Sequence, residues 1–204
     1  MSAGPSGPVS LPRRIVLTGF MGAGKSTVGR ILAARLRWPF LDIDSLITTE
    51  HGRTVAQIFA DHGEEHFRRL EAEAVDRVLD LAHEYPQAVI ALGGGAIETE
   101  PIRELLFSDP SSEPATVTIF LSAPLPELLA RCRVSPGASA RPADEDPVRP
   151  LLTAPEPPED RLRRRLPHYR RAHLTVDTAA VPAVEVVERI MTWLASRSPA
   201  PAAS

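Results

Sequence analysis

The sequence predicts an α/β protein, a three-layer sandwich with helices on both faces of a five-stranded parallel sheet. Three observations carry that prediction. Short apolar runs recur at 15–18, 39–42, 88–92, 116–121 and 174–177, and three are almost unbroken, as strands covered on both faces require. Helical patterns fill the gaps at 26–37, 55–60, 64–83, 101–107, 126–133, 159–171 and 182–195, and such alternation builds a parallel sheet. Between the first run and the first helix stands Gly19-Phe20-Met21-Gly22-Ala23-Gly24-Lys25-Ser26-Thr27, which satisfies G-x-x-x-x-G-K-[ST].

Strand, glycine loop, helix is the context that gives this pattern physical meaning. The glycines let consecutive backbone N–H groups point into one concavity, and the helix opening near Lys25 adds the positive end of its dipole. Lys25 then sits against the β- and γ-phosphates, and Ser26 offers its hydroxyl to Mg²⁺. Of 23 basic side chains, Lys25 is the sole lysine; the rest are arginine. A compact ammonium nests inside such a loop where a planar guanidinium does not. The dinucleotide fingerprint fits worse, because Gly22-Ala23-Gly24 is followed by Lys-Ser-Thr rather than x-x-Gly.

The bulk properties bound the rest. A chain of 204 residues, 43% hydrophobic, can bury one good core, so one domain is expected over 13–196. The Ser/Gly/Pro-rich leader (1–12) and the tail (197–204) read as disordered, and the leader lacks the basic start and apolar core of a signal peptide. A net charge of −3 gives no general attraction to nucleic acid or to anionic membranes. No run approaches the roughly 18 apolar residues of a membrane span. The single cysteine, Cys132, excludes an intrachain disulfide and fits a reducing compartment, with the cytoplasm as the default and a monomer as the expected state.

In a parallel sheet, ligands gather at the carboxyl ends of the strands. The second strand ends in Leu41-Asp42-Ile43-Asp44, where alternation places Asp42 and Asp44 on one side of an extended chain. Beside a phosphate loop, two carboxylates suit a Mg²⁺ shell and an acceptor hydroxyl; equally, they suit a turn and N-cap opening a helix at Ser45. The third strand ends in Gly93-Gly94-Gly95-Ala96, which lets a small ligand approach the backbone closely. On the long helix, Phe67, Leu70, Ala74, Val78 and Leu81 make an apolar stripe, with Arg68 beside it, spaced to pair with Glu64.

Residues 134–154 are Pro/Gly/Ala-rich, lack either period, and end near Arg149; that composition suggests a mobile lid. Residues 161–171 hold six arginines in eleven positions, but a net acidic chain with no aromatic platform beyond Tyr169 argues against a nucleic-acid helix. His62 and His66 have no third ligand at zinc-like spacing, and Cys132 reads as a small buried apolar residue.

Taken in order, Gly-Phe-Met-Gly-Ala-Gly-Lys-Ser-Thr, Leu-Asp-Ile-Asp-Ser-Leu-Ile, Gly-Glu-Glu-His-Phe-Arg-Arg-Leu-Glu, Leu-Gly-Gly-Gly-Ala, Val-Arg-Pro-Leu-Leu and Arg-Leu-Pro-His-Tyr resemble the shikimate kinase family from about Arg14 to Ala195. The resemblance implies a P-loop kinase fold with a lid and a substrate-binding subdomain, using ATP and Mg²⁺ to phosphorylate the 3-hydroxyl of shikimate. It implies that Gly22, Ala23, Gly24, Lys25, Ser26 and Thr27 hold the ATP phosphates, with Arg149 reaching them from the lid. It assigns Mg²⁺ to Ser26 and Asp42. It further implies that Asp44 meets the ring hydroxyls and orients, or takes the proton from, the 3-hydroxyl, that Arg68 and Arg165 bind the carboxylate, and that Gly94 and Gly95 contact a hydroxyl through backbone. Lys25, Asp44 and Arg149 are the expected catalytic set.

Two features depart from the family pattern. The lid is longer than expected and carries Asp144-Glu145-Asp146. The turn at 177–182 lacks the basic residue that some relatives place near adenine, which leaves Arg131 as the cation for the base. Two other functions compete. A kinase for another small hydroxylated acid such as gluconate shares the donor half of the site. A nucleotide-binding regulator would have lost catalytic positions, and here all are intact.

Overall fold

The computed structural model describes residues 12–80, 86–107, 115–134 and 156–197. Among these residues five strands form one sheet: β1 (Arg14–Thr18), β2 (Phe40–Asp42), β3 (Ala88–Ala91), β4 (Thr116–Ser122) and β5 (Leu174–Asp177). Their order is β2-β3-β1-β4-β5, and every pairing is parallel, with Ile15 opposite Val89 on one side and Val117 on the other. Every residue of β1 and β3 is buried, so the centre of the sheet is covered on both faces.

Among the described residues, seven α-helices surround the sheet: α1 (Lys25–Leu36), α2 (Ile43–His51), α3 (Val55–Asp80), α4 (Glu100–Phe107), α5 (Leu125–Val134), α6 (Pro158–Tyr169) and α7 (Ala183–Arg197). One turn of 3-10 helix, Ala96–Glu98, follows the glycine triplet. Helix α1 buries Val28, Gly29, Leu32 and Ala33 at helical spacing and packs on β3 and α7. None of the described helices is long and apolar enough to cross a membrane.

The predicted strands lie where the apolar runs placed them. Two local readings change. The second strand ends at Asp42, and α2 begins at Ile43, so Asp44 stands in the first turn of a helix rather than on an extended chain. The two patterns at 55–60 and 64–83 join into α3, interrupted by Gly63 at φ 80°, ψ 170°, a conformation that breaks helical geometry there. The lid at 135–154 with Arg149, most of the leader, and residues 198–204 lie outside the described residues.

Candidate active site

β1 feeds the phosphate loop directly. Gly22 adopts φ 78°, and a Cβ built on it would overlap the Leu128 carbonyl and lie 3.0 Å from Cys132 Sγ, so α5 presses against the loop where only glycine fits. Cys132 is buried there, as a small apolar residue. Gly24 caps α1 in the left-handed region, and its carbonyl accepts from Val28 N at 2.8 Å. The loop is thereby closed on itself, with Ala23 N donating to Phe20 O at 3.1 Å. Lys25 Nζ folds back to donate to the carbonyls of Gly19 (2.8 Å) and Phe20 (3.2 Å), which holds its ammonium inside the loop.

Ser26 and Asp42 meet across the first crevice. Ser26 Oγ donates to Asp42 Oδ2 at 2.6 Å, while Asp42 Oδ1 accepts from Ser45 N at 3.4 Å. Asp42 caps α2 as one of its two readings expects, and its second oxygen is bonded to Ser26. One oxygen caps α2 and the other faces the phosphate loop.

The glycine triplet is the hub of the opposite wall. A Cβ on Gly93 would overlap Glu71 Oε1 and lie 2.8 Å from Asp44 Oδ1; one on Gly95 would lie 2.6 Å from Arg68 Cζ. A Cβ on Gly94 would lie 3.3 Å from Met21 N of the phosphate loop. None of the three has a positive φ, so space rather than backbone freedom demands glycine. The triplet thus brings Asp44 and Arg68 to one place and sets them against the phosphate loop.

Helix α6 supplies the remaining side. Arg161, Arg165 and Tyr169 form its buried face at four-residue spacing. Arg165 Nη1 (3.1 Å) and the Tyr169 hydroxyl (2.5 Å) both donate to Gly94 O. Arg165 Nε donates to Glu98 Oε2 at 2.7 Å, and its guanidinium lies 5.6 Å from the Phe20 ring centroid. Glu98 is held below the usual carboxylate range: burial alone would raise it, but Arg164 and Arg165 overcome that. Tyr169 stacks on Phe120 with ring centroids 4.9 Å apart, and burial pushes its hydroxyl pKa up.

Arg68 does pair with Glu64, at 2.9 Å, as its spacing suggests. It also donates from Nη1 to Glu71 Oε2 at 2.7 Å, and Glu71 is fully buried. Burial pushes the Glu71 carboxyl up to about 7, opposed by Arg68 and reinforced by the nearby charge of Asp44. Glu71, Glu98 and Tyr169 escaped the sequence reading. Glu71 had a readable signal, since it shares the stripe of Phe67, Ala74, Val75 and Val78, an apolar face that a carboxylate enters only with a partner.

Arg131 lies against the turn after β5, donating to Thr178 Oγ1 (3.0 Å), Thr178 O (2.5 Å) and Glu127 (2.6 Å). His62 is exposed and His66 half-buried, with ring centroids 4.9 Å apart, and no metal-binding group of three or more His, Cys, Asp or Glu occurs among the described residues.

Comparison with known proteins identifies the family. The family model for shikimate kinase matches residues 21–195. The shikimate kinase of Moorella thermoacetica is 40% identical over 192 residues, covering 91% of this chain and 99% of that protein. The shikimate kinase of Symbiobacterium thermophilum is 42% identical over 188 residues, covering 90% and 97%. The structure of the Acinetobacter baumannii shikimate kinase in complex with shikimate superposes with a TM-score of 0.75 at 34% identity, covering 92% of this chain and 95% of that one. With a family match across most of its length, a parallel P-loop kinase sheet and a two-walled site at the strand ends, this chain belongs to the shikimate kinase family.

Proposed function

We propose that the chain transfers the γ-phosphoryl group of ATP to the 3-hydroxyl of shikimate, giving ADP and shikimate 3-phosphate. One observation carries the reading: the glycine triplet gathers a carboxylate, Asp44, and two arginines, Arg68 and Arg165, directly opposite the phosphate loop. A cyclic polyol with one carboxylate matches that set. The charged end pairs with guanidinium groups, and the hydroxyl end meets an acid–base carboxylate.

The roles divide by chemistry. Gly22, Ala23, Gly24 and Thr27 present the loop amides and hydroxyl to the phosphates, and Lys25 exchanges its two loop carbonyls for phosphate oxygens. Asp44 orients the 3-hydroxyl and takes its proton as the new O–P bond forms and the bond to ADP breaks. The carbonyls of all three glycines accept protein hydrogen bonds, from Ala96 N, from Arg165 and Tyr169, and from Glu98 N respectively. The hydroxyl at this loop is assigned to the amides of Gly94 and Gly95, since the Gly94 carbonyl already accepts two hydrogen bonds. Arg131 flanks the adenine, and Arg149 is assigned to the phosphates on its sequence pattern alone.

Mg²⁺ fits Ser26 and Asp42, whose oxygens already lie 2.6 Å apart with hard-cation chemistry. Bound with ATP, it would neutralise charge on the phosphates. Soluble chain working on free small molecules in the cytoplasm, as a monomer, completes the proposal. A panel of polyol acids, offered with Mg-ATP in an ADP-release assay, tests the acceptor: shikimate should be used, and gluconate should not.

A further inference from the structure

The acceptor wall contains carboxylates that the roles above do not use, Glu98 among them. Glu98 projects from the 3-10 turn immediately after the glycine triplet and stands between two consecutive arginines of α6. Its Oε2 accepts from Arg165 Nε at 2.7 Å, and its Oε1 accepts from Arg164 Nε at 2.5 Å. Glu98 keeps 20% of its side-chain exposure, whereas Arg165 keeps 1%.

Arg165 is thus held at two of its donors. Nε belongs to Glu98, and one Nη1 hydrogen belongs to Gly94 O. A guanidinium has five N–H donors in a rigid plane, so fixing Nε and one Nη1 hydrogen fixes the orientation of the remaining three. Nε shares its edge with Nη2, so with Nε taken by Glu98 the terminal Nη1–Nη2 edge is the one left to grip a carboxylate with two parallel hydrogen bonds. Without Glu98 the guanidinium can turn about its last torsions and present Nε instead. Its long side chain would then have to be ordered again on binding, at an entropic cost.

We propose that Glu98 is a positioning residue for the acceptor, selecting the edge of Arg165 that meets the acceptor carboxylate. The inference rests on the assignment of Arg165 to that carboxylate. It also opposes simple charge reasoning, under which removing a negative charge beside an anion site tightens anion binding. The two effects have opposite signs, so a kinetic measurement separates them.

The test compares Glu98→Gln, Arg165→Lys and the double variant of the full chain, with melting temperature followed in parallel. Glu98→Gln keeps size and one acceptor oxygen. It should raise the KM for shikimate about tenfold while kcat and the KM for ATP stay within about twofold. Added to Arg165→Lys, it should have no further effect, because it acts only through Arg165. If Arg165→Lys raises the shikimate KM but Glu98→Gln leaves it unchanged or lowers it, Glu98 does not position the arginine. If kcat and both KM values move together with a fall in melting temperature, its role is structural and the proposal fails. If Arg165→Lys itself leaves the shikimate KM unaltered, the assignment of Arg165 fails first, and the proposal with it.

Discussion

Arg68 donates to Glu71 at 2.7 Å one turn further along α3, and that buried pair lies against the glycine triplet. Glu71 is the fully buried acid of the acceptor wall, and its folded pKa of about 7 stands above the ordinary 4.5. A raised acid contributes stability in full below its unfolded pKa and loses it as pH rises through the folded one. Stability should therefore fall by about 3 kcal/mol between pH 4.5 and 7 on account of Glu71. Glu71→Gln should flatten that part of the melting-temperature profile. An unchanged slope would mean that the Arg68 pairing cancels the burial.

Lys25→Arg should lower kcat by at least about a hundredfold with the fold intact. The loop holds a compact ammonium between the carbonyls of Gly19 and Phe20, and a guanidinium is longer and planar. Circular dichroism and a melting curve, unchanged beside lost turnover, check this.

Gly95→Ala should act on the acceptor alone. Its Cβ would lie 2.6 Å from Arg68 Cζ, so the guanidinium must move away from the site. The shikimate KM should rise about tenfold or more, with the ATP KM unaltered, in initial-rate measurements on both substrates.

Tyr169→Phe should be mainly a stability change. It removes the 2.5 Å hydrogen bond to Gly94 O but keeps the ring stacked on Phe120, and Arg165 still donates to the same carbonyl. A loss of about 1 kcal/mol follows, read as a fall of about 2–4 °C in melting temperature.

How far the sequence exposes this site depends on the kind of residue. Lys25 and the phosphate loop are legible because their spacing is local and their chemistry tolerates no substitute. The triplet at 93–95 is legible as a place of close approach, though not which side chains press upon it: Glu71, Asp44 and Arg68 arrive from α2 and α3, both well before it in the sequence. The strand-like reading of Asp44 fails because Asp42 caps α2, and a three-residue strand leaves too little alternation to reveal where the helix starts. Glu98 is invisible by pattern. Its partners lie 66 and 67 residues away, and only the fold brings α6 over the triplet.

The central claim is that the two walls serve one reaction, and ADP release by the purified chain measures it most directly. With Mg-ATP, release should depend on added shikimate and match shikimate 3-phosphate mole for mole. ADP release at the same rate with and without shikimate would contradict it.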